Sequence, residues 1–421
     1  MLDRTHPPKV NHVNELTLPP PKSYAIHPNL PLFVFPDTTQ SVVQLDFIVP
    51  KGPMHTPLAK INFHLLAKTM IYGTSKAGKT IAEHIDQYGA SLDTFAAMDT
   101  LHLRLTTLDK HFHHLVDLVA EILHEPAFPQ QALQLEKKIE AQEIKLREAT
   151  PEAIARKILA ERVFGKDHPY GYSTEVEHLE LVTTTSLRDA FERKAWPEGC
   201  VILSGASDTS MIAATQKAFS TLPHTPFSSL PAYETNANFT PLFHEKKEAR
   251  QASIALGMQT ITRTHPDYPF FYIVNTLFGG YFGSRLMQNI REKKGYTYGI
   301  DSRFLPLLHA GYFSIATEVK EGFAQKTCDE IEREIITLHQ QLVPTDELTR
   351  LKDFLNGHLL ATFDNVFSLA NHFAHLYLHG LELDHYDTFY KAIQEITPAD
   401  IQYIAQQYLD PTAFSKVIVN G

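Results

Sequence analysis

Residues 64 to 68 read His64-Leu65-Leu66-Ala67-Lys68 and lie inside an apolar stretch with helical spacing. A helix that binds zinc through His-x-x-Glu-His places two imidazoles four residues apart on one face, and the glutamate between them deprotonates a water molecule. Here Ala67 stands at the glutamate position and Lys68 at the second histidine position. A methyl group is not a base, and an ammonium does not bind a cation. The stretch therefore has the frame of a zinc-binding helix but only one of its three chemical groups.

The composition is that of an ordinary globular chain, and a length of 421 residues predicts two or more domains. With 48 acidic and 38 basic residues the net charge is −10, which argues against nucleic-acid binding through phosphate contacts. Cys200 and Cys328 have no metal-binding or redox spacing, as is typical of a reducing compartment. No segment has the apolar length of a signal peptide or a membrane span. We therefore expect a cytoplasmic protein that does not contact the membrane.

Strand and helix patterns alternate along the first half of the chain. Residues 32–35 and 42–49 are rich in β-branched and aromatic side chains and are joined by a short polar turn, which predicts an opening hairpin. Apolar residues with a period of about 3.6 follow. They predict helices over residues 57–72, 111–124 and 129–147.

The helix predicted over 129–147 carries an acid on its apolar side. Leu135, Ile139 and Leu146 form the stripe, and Glu143 falls between the last two. A carboxylate on a buried face needs a partner. A salt bridge or a snorkelling side chain meets this need as well as a metal ion does, so the spacing alone leaves the role of Glu143 open.

The second half of the chain repeats the first in outline. Residues 222–241 are rich in Pro, Ser, Thr and Asn without periodicity, which predicts a linker. Segments 187–197 and 401–411 both run from an aliphatic residue to a proline, and each precedes a short apolar strand that ends in glycine. We therefore predict an α+β fold with two similar α/β domains, over residues 1–221 and 242–421, each with an antiparallel-rich sheet flanked by helices.

A glycine-rich segment in the second half runs from Gly279-Gly280 through Arg291 to Tyr298. It lacks the Gly-Lys-Ser/Thr ending of a phosphate loop and the glycine spacing of a dinucleotide site. The glycines permit tight turns and close packing, while the arginine and the tyrosine supply a planar cation and a phenol that can hold a carbonyl or an oxyanion. A capping arginine and a packed tyrosine are the structural alternative.

Together these features resemble the insulinase/pitrilysin family of zinc metallopeptidases, in the short two-domain form of mitochondrial processing peptidase and the cytochrome bc1 core proteins. The similarity extends from the strand around Phe33 to the end of the chain. Its most specific part is Arg291 followed by Tyr298, because the family carries an arginine and a tyrosine at this separation. The resemblance implies four α/β units that close as a clam-shell around an extended peptide, with this chain as one half of the chamber.

Residue by residue, the resemblance implies that His64 matches the first zinc histidine and Glu143 the distal zinc glutamate. Ala67 and Lys68 replace the catalytic glutamate and the second zinc histidine. We therefore expect vestigial metal positions at His64 and Glu143, with no metal bound by this chain. We also expect the Lys68 ammonium to take the place of the ion and to face Glu143.

Short members of this family can divide the work between two subunits. The resemblance then implies a non-zinc subunit, inactive alone, in which Arg291 and Tyr298 bind the peptide substrate while a homologous partner carries the zinc ion. Three alternatives stay open: an assembly scaffold without catalysis, as the bc1 core proteins suggest, a homodimeric peptide-holding protein, and an independent hydrolase that uses an unrecognised histidine cluster.

Overall fold

The computed structural model describes residues 16–28, 30–50, 56–74, 81–192, 196–197, 199–222, 224–225, 237–246 and 251–420. The strands are β1 Lys22–His27, β2 Leu30–Pro36, β3 Val42–Pro50, β4 Ser91–Ala96, β5 Thr100–Leu108, β6 Trp196–Pro197, β7 Cys200–Gly205, β8 His224–Thr225, β9 Leu242–Glu245, β10 Gln251–Thr260, β11 Thr297–Pro306, β12 Gly311–Lys320 and β13 Ser415–Asn420. Apart from the short β6–β8 pair, they form two sheets.

The helices are α1 Pro57–Thr69, α2 Ile81–Asp86, α3 Phe112–His124, α4 Gln130–Ala149, α5 Pro151–Phe164, α6 Val176–Glu180, α7 Thr184–Glu192, α8 Thr209–Phe219, α9 Tyr268–Asn275, α10 Ala324–Gln340, α11 Thr345–Thr362, α12 Val366–Leu378, α13 Asp384–Glu395 and α14 Pro398–Tyr408. Tighter 3₁₀ turns lie at Met70–Tyr72, Asp109–His111 and Pro411–Ala413, and π-helical turns lie at Thr276–Gly280 and Met287–Lys293. The helices predicted over 57–72, 111–124 and 129–147 are confirmed to within a few residues.

The first sheet has the strand order β1-β2-β7-β3-β5-β4, and only the β2–β7 pair is parallel. Its centre is β3, where Phe47 lies opposite Leu103 of β5 and all residues from Val43 to Pro50 are buried. The predicted opening hairpin is wrong, because β7 lies between β2 and β3. Strand β7 is buried at every position, so pairing on both of its edges satisfies a backbone that water does not reach.

The second sheet has the order β11-β12-β10-β13-β9, in which only β9 and β13 are parallel. This order and these directions match β4-β5-β3-β7-β2 of the first sheet, pair by pair. The prediction of two similar mixed α/β units is therefore confirmed. Most of the predicted linker, residues 223 and 226–236, lies outside the described residues.

Each half also packs a helix against the sheet of the other half. Helix α5 buries Ala155, Leu159 and Val163 in one cluster with residues of β10 and β13. In the opposite direction, the ring of Phe373 on α12 lies 4.6 Å from that of Phe33 and 5.4 Å from that of Phe35, both on β2. This exchange places α5 beside the second sheet. None of the helices in the described ranges has the length and apolarity needed to cross a bilayer.

Candidate functional site

Helix α1 holds the position of the expected catalytic glutamate inside the core. The helix begins after Thr56, whose hydroxyl accepts a hydrogen bond from the Ala59 N–H at 3.1 Å. Ala67 is fully buried, and its carbonyl accepts a hydrogen bond from the Thr94 hydroxyl on the edge strand β4 at 2.6 Å. Strand β4 is therefore fixed against the helix beside the buried methyl group of Ala67.

The acid that faces His64 is Glu140, and the prediction of Glu143 is corrected by one helical turn. Glu140 is 4 % exposed, and its Oε2 accepts a hydrogen bond from His64 Nε2 at 2.8 Å. Glu143 is exposed. The predicted apolar stripe is on the wrong face, since Leu135 and Leu146 are 48 % and 70 % exposed. The residues that α4 buries are Ala132, Leu133, Glu136, Glu140 and Ile144.

The sequence pattern predicts the wrong buried face of α4 because two of the residues that this helix buries are acids. A pattern of apolar residues assigns acids to the surface, whereas a buried carboxylate is stable once it has partners. Glu136 accepts a hydrogen bond from the Tyr72 hydroxyl at 2.6 Å. Burial and this carboxylate together raise the pKa of Tyr72 to about 12, so the phenol keeps its proton and remains the donor.

Arg147 supplies a cation at the vestigial metal position. Its Nη2 donates a hydrogen bond to Glu140 Oε1 at 2.7 Å, while His64 occupies the other oxygen of the same carboxylate. Burial alone raises the pKa of Glu140, but the hydrogen bond from His64 and the charges of His64 and Arg147 outweigh it and lower the pKa to about 2. Glu140 is thus ionised at neutral pH, and both of its oxygens are engaged.

Lys68 does not occupy the predicted place opposite Glu143. Its side chain is half-buried, and within the described part of the chain it forms no ion pair with that residue. The prediction that the Lys68 ammonium faces Glu143 is therefore wrong, and the cation beside Glu140 is Arg147, from α4 itself.

These side chains do not fit a zinc ion. Zinc sites in proteins use three or four donors, usually His, Cys and carboxylate. His64 and Glu140 converge, but Lys68 is not a ligand, and the guanidinium of Arg147 adds positive charge beside the carboxylate. Among the residues that the structure describes, no group of three His, Cys, Asp or Glu side chains is arranged to hold a metal ion.

The glycine-rich segment forms two π-helical turns, a rare geometry that is frequent at functional sites. Gly279 lies in the first turn, packed against β11, where an added Cβ would lie 2.5 Å from Ser302 Oγ. Only glycine permits this close approach. Gly295 has φ +64°, the left-handed conformation that leads the chain from the second turn into β11.

Tyr298 lies in a β-bulge on β11, the edge strand of the second sheet. The pairing of β11 with β12 shifts register between Thr297 and Ile300, which places Tyr298 and Gly299 in the irregular part. The Thr317 hydroxyl fixes the bulge by donating a hydrogen bond to the Gly299 carbonyl at 2.8 Å. Bulges redirect side chains. Tyr298 is 90 % exposed, so its phenol is free of the packing that a structural tyrosine would show.

Arg291 is held by an aromatic ring. Its guanidinium carbon lies 4.9 Å from the centroid of Phe282, and its Nη1 lies 3.0 Å from the Glu292 carboxylate. Phe282 is 65 % exposed and lines the same cavity as Tyr298. The structure therefore brings Arg291 to the back of the cavity wall and Tyr298 to its surface, although Arg291 itself does not line the cavity.

Two neighbouring cavities share one residue of α5. The first, of about 490 Å³, is lined by Tyr298, Phe282 and, from the first half of the chain, Glu152. The second, of about 400 Å³, is lined by Arg147 together with the same Glu152. Tyr298 and Arg147, the partner of Glu140, therefore border adjacent cavities, whereas His64, Glu140 and Glu143 line neither of them.

The comparisons with known proteins identify the class of this fold and site. Residues 62–175 match the family described as Insulinase (Peptidase family M16), and residues 199–355 match the family described as Peptidase M16 inactive domain. The chain belongs to the M16 peptidase family, with the two-domain insulinase-like fold.

Two bacterial relatives are similar to most of the chain. The chain is 26 % identical to the uncharacterized zinc protease YmxG of Bacillus subtilis, over 82 % of this chain and 85 % of that protein. It is 24 % identical to an uncharacterized zinc protease of Mycobacterium leprae, over 82 % of this chain and 79 % of the relative.

Solved structures agree in fold. A peptidase M16 inactive domain from Pseudomonas fluorescens superposes with a TM-score of 0.84 at 22 % identity, covering 95 % of this chain and 98 % of that one. A protease from Helicobacter pylori gives 0.83 at 16 % identity, covering 96 % and 100 %. A chain of complex III2 from Candida albicans gives 0.74 at 13 % identity, covering 95 % of both chains. These likenesses define the architecture and not the activity.

Two residues of the site were missed from the sequence. Glu140 is recognisable only when Glu136 and Glu140 are read with Leu133 and Ile144 as one face at i, i+3, i+7 and i+11. Arg147 follows Glu140 by seven residues, two helical turns along the same face, and a search for zinc ligands does not look for an arginine.

Proposed function

We propose that this chain is the non-zinc subunit of a heteromeric M16 peptidase and contributes peptide-binding groups to a zinc site on a homologous partner. The observation that carries the proposal is the arrangement at Glu140. Both of its oxygens are engaged by His64 and Arg147, so the place of a metal ligand is already neutralised. A chain with this arrangement is not expected to hydrolyse peptides by itself.

The substrate-binding part of the proposal rests on the exposure of Tyr298. A phenol on an open cavity wall can donate a hydrogen bond to the oxyanion that forms when a peptide carbonyl is attacked. Phe282 and the guanidinium of Arg291 behind it add an apolar surface and a positive charge. Such preorganised donors stabilise a transition state without binding the metal themselves.

The test is reconstitution. The chain is co-expressed with a homologue from the same genome that retains His-x-x-Glu-His, and the purified proteins are assayed on internally quenched peptides. We expect no cleavage by either chain alone and cleavage by the complex that is abolished by EDTA. A stable complex without cleavage would support the assembly scaffold instead. Peptide binding by this chain as a homodimer, with no zinc-bearing partner captured, would support the peptide-holding alternative.

A further inference from the structure

A small cavity lies among helices α9, α11, α12 and α13. Its volume is about 130 Å³. Its apolar and aromatic lining consists of Tyr268, Tyr272, Leu355, Leu359 and Phe389. Its other lining residues are polar: Arg263, Thr362, His372, His385, Tyr386 and the exposed His358.

Arg263 lacks a counter-ion. No carboxylate lines this cavity, and among the described residues Arg263 forms no ion pair with an acid. Its Nε is buried without a hydrogen-bond partner, and its guanidinium carbon lies 5.5 Å from the centroid of Tyr268. A half-buried guanidinium with an unused donor is costly unless an acceptor reaches it.

The neighbouring polar groups supply no negative charge, although the Tyr386 hydroxyl accepts a hydrogen bond from Arg263. Burial, followed by the positive charge of Arg263, lowers the pKa of His385 to about 4 and that of His372 below its usual range. Burial raises the pKa of Tyr386 to about 12, so its hydroxyl keeps its proton, 3.0 Å from His372 Nδ1. The exposed Asp384 is the acid that acts on His385, and it is not part of the wall.

We propose that this cavity binds a small monocarboxylate with an apolar or aromatic body. The planar fork of Arg263 matches a carboxylate, and its charge is the only one on the cavity wall among the described residues. An engineered cavity of about 150 Å³ in another protein holds benzene, so this volume suits a single ring or a short branched chain. The proposal is independent of the peptidase assignment.

The lining residues of the cavity favour a monocarboxylate over inorganic phosphate or a metal cation. Inorganic phosphate presents oxygens in every direction, and the apolar wall would leave several of them without donors. A metal cation would meet the charge of Arg263 directly. A carboxylate on an apolar body matches both the guanidinium and the apolar lining residues.

The experiment is calorimetric titration of the full chain with sodium benzoate, with benzamide as the neutral analogue of the same shape. We expect saturable binding of benzoate, at least about tenfold tighter than that of benzamide. Arg263→Gln should remove this preference, whereas Arg350→Gln, an exposed arginine paired with Asp346, should leave it unchanged. Histidine NMR should show that benzoate raises the pKa of His385, because the anion offsets the charge of Arg263.

Three results would overturn the proposal. Benzamide that binds as tightly as benzoate would reduce the cavity to an apolar pocket. Phosphate that competes at lower concentration than benzoate would make it a general oxyanion site. Absence of benzoate binding up to about 10 mM, the range of very weak association, would mean that it takes no such ligand. The benzoate–benzamide comparison needs no variant, so it decides the matter even where Arg263→Gln fails to fold.

Discussion

The two sheets end in equivalent edge strands, β4 and β11, but the surfaces beside these strands differ. Next to β4 the position predicted for a catalytic glutamate is the buried Ala67, and both oxygens of the buried Glu140 are engaged by partners. Next to β11 a bulge exposes Tyr298 on a cavity wall. The same topology therefore carries one surface that has been neutralised and one that has stayed open. Under the proposed function, the closed surface of the first half is the one without metal chemistry, and the open surface of the second half is the one that binds peptide.

The largest effect should come from rebuilding the neutralised side. Ala67→Glu with Lys68→His restores His-x-x-Glu-His from His64, with Glu140 as the third ligand. Ala67 is fully buried, so we expect the metal-free double variant to be destabilised and zinc to restore it. At a free zinc concentration of about a thousand times Kd, the stabilisation is roughly 4 kcal/mol. Zinc stoichiometry and thermal unfolding with and without zinc measure this.

Two further variants in the rebuilt background distinguish the acids. Glu140→Gln should abolish zinc uptake, and Glu143→Gln should leave it intact, because only the first carboxylate meets His64. Loss of zinc in the Glu143→Gln variant alone would return the ligand role to Glu143. Arg147→Ala should tighten zinc binding, since the guanidinium competes with the ion for Glu140.

The second largest effect is a loss of activity on substitution at the cavity wall beside β11. In the reconstituted complex, Tyr298→Phe and Arg291→Ala should each lower kcat/KM by about 10²-fold, because each removes a group that acts on the developing oxyanion or its wall. Tyr403→Phe is the matched control for an exposed tyrosine, and Arg350→Ala for an exposed arginine. Unfolding curves of all four variants should overlay that of the wild type. Full activity in both site variants would leave them with no part in substrate binding.

The sequence predicts the elements of this fold better than their pairing. Helix periods and strand enrichment are local, so α1, α3 and α4 and the strands β2 and β3 fall where the pattern puts them. The insertion of β7 between β2 and β3 depends on a segment from much later in the chain, which no local signal contains. The repeat of segments 187–197 and 401–411 predicts the tertiary organisation better than the local patterns do, because it reflects the strand order that the two sheets share.

The residues of the candidate site likewise include some that the sequence indicates and some that depend on tertiary contacts. Tyr298 could be predicted as a candidate from its fixed separation from Arg291, but the bulge that exposes it depends on pairing with β12. Glu140 could not be chosen over Glu143 from hydrophobicity, since both acids look like surface residues until their partners are known. The ion pair between Glu140 and Arg147 joins residues two helical turns apart on α4. The same carboxylate also accepts a hydrogen bond from His64, which lies on a different helix, and the sequence does not show that contact.

The third effect is on stability. Glu140→Gln removes a buried carboxylate that accepts hydrogen bonds from both His64 and Arg147, and leaves His64 beside an uncharged amide. We expect a loss of about 2 kcal/mol in the free energy of unfolding, discounted because the Arg147 side chain is mostly exposed. Glu143→Gln should cost less than about 0.5 kcal/mol. Urea unfolding at neutral pH measures both, and equal losses would contradict the assignment of Glu140.

The smallest effect is the pH dependence of the difference in unfolding free energy between the wild type and Glu140→Gln. The pKa of Glu140 is lowered to about 2 from its ordinary value of 4.5, so the carboxylate contributes stability that is fully present above pH 4.5. Between these values the unfolded chain binds more protons than the folded chain, and the contribution is lost as the pH falls. The stability of the wild type should therefore exceed that of Glu140→Gln clearly at about pH 5 and by progressively less below about pH 4.5. Histidines that do not contact Glu140 titrate equally in both proteins and cancel in the comparison. His64 contacts Glu140, so the urea curves are compared in steps from about pH 5 to 3.5, below the usual titration range of histidine. A difference that stays constant throughout this range would mean that the ion pair with Arg147 and His64 does not hold the carboxylate in its charged form.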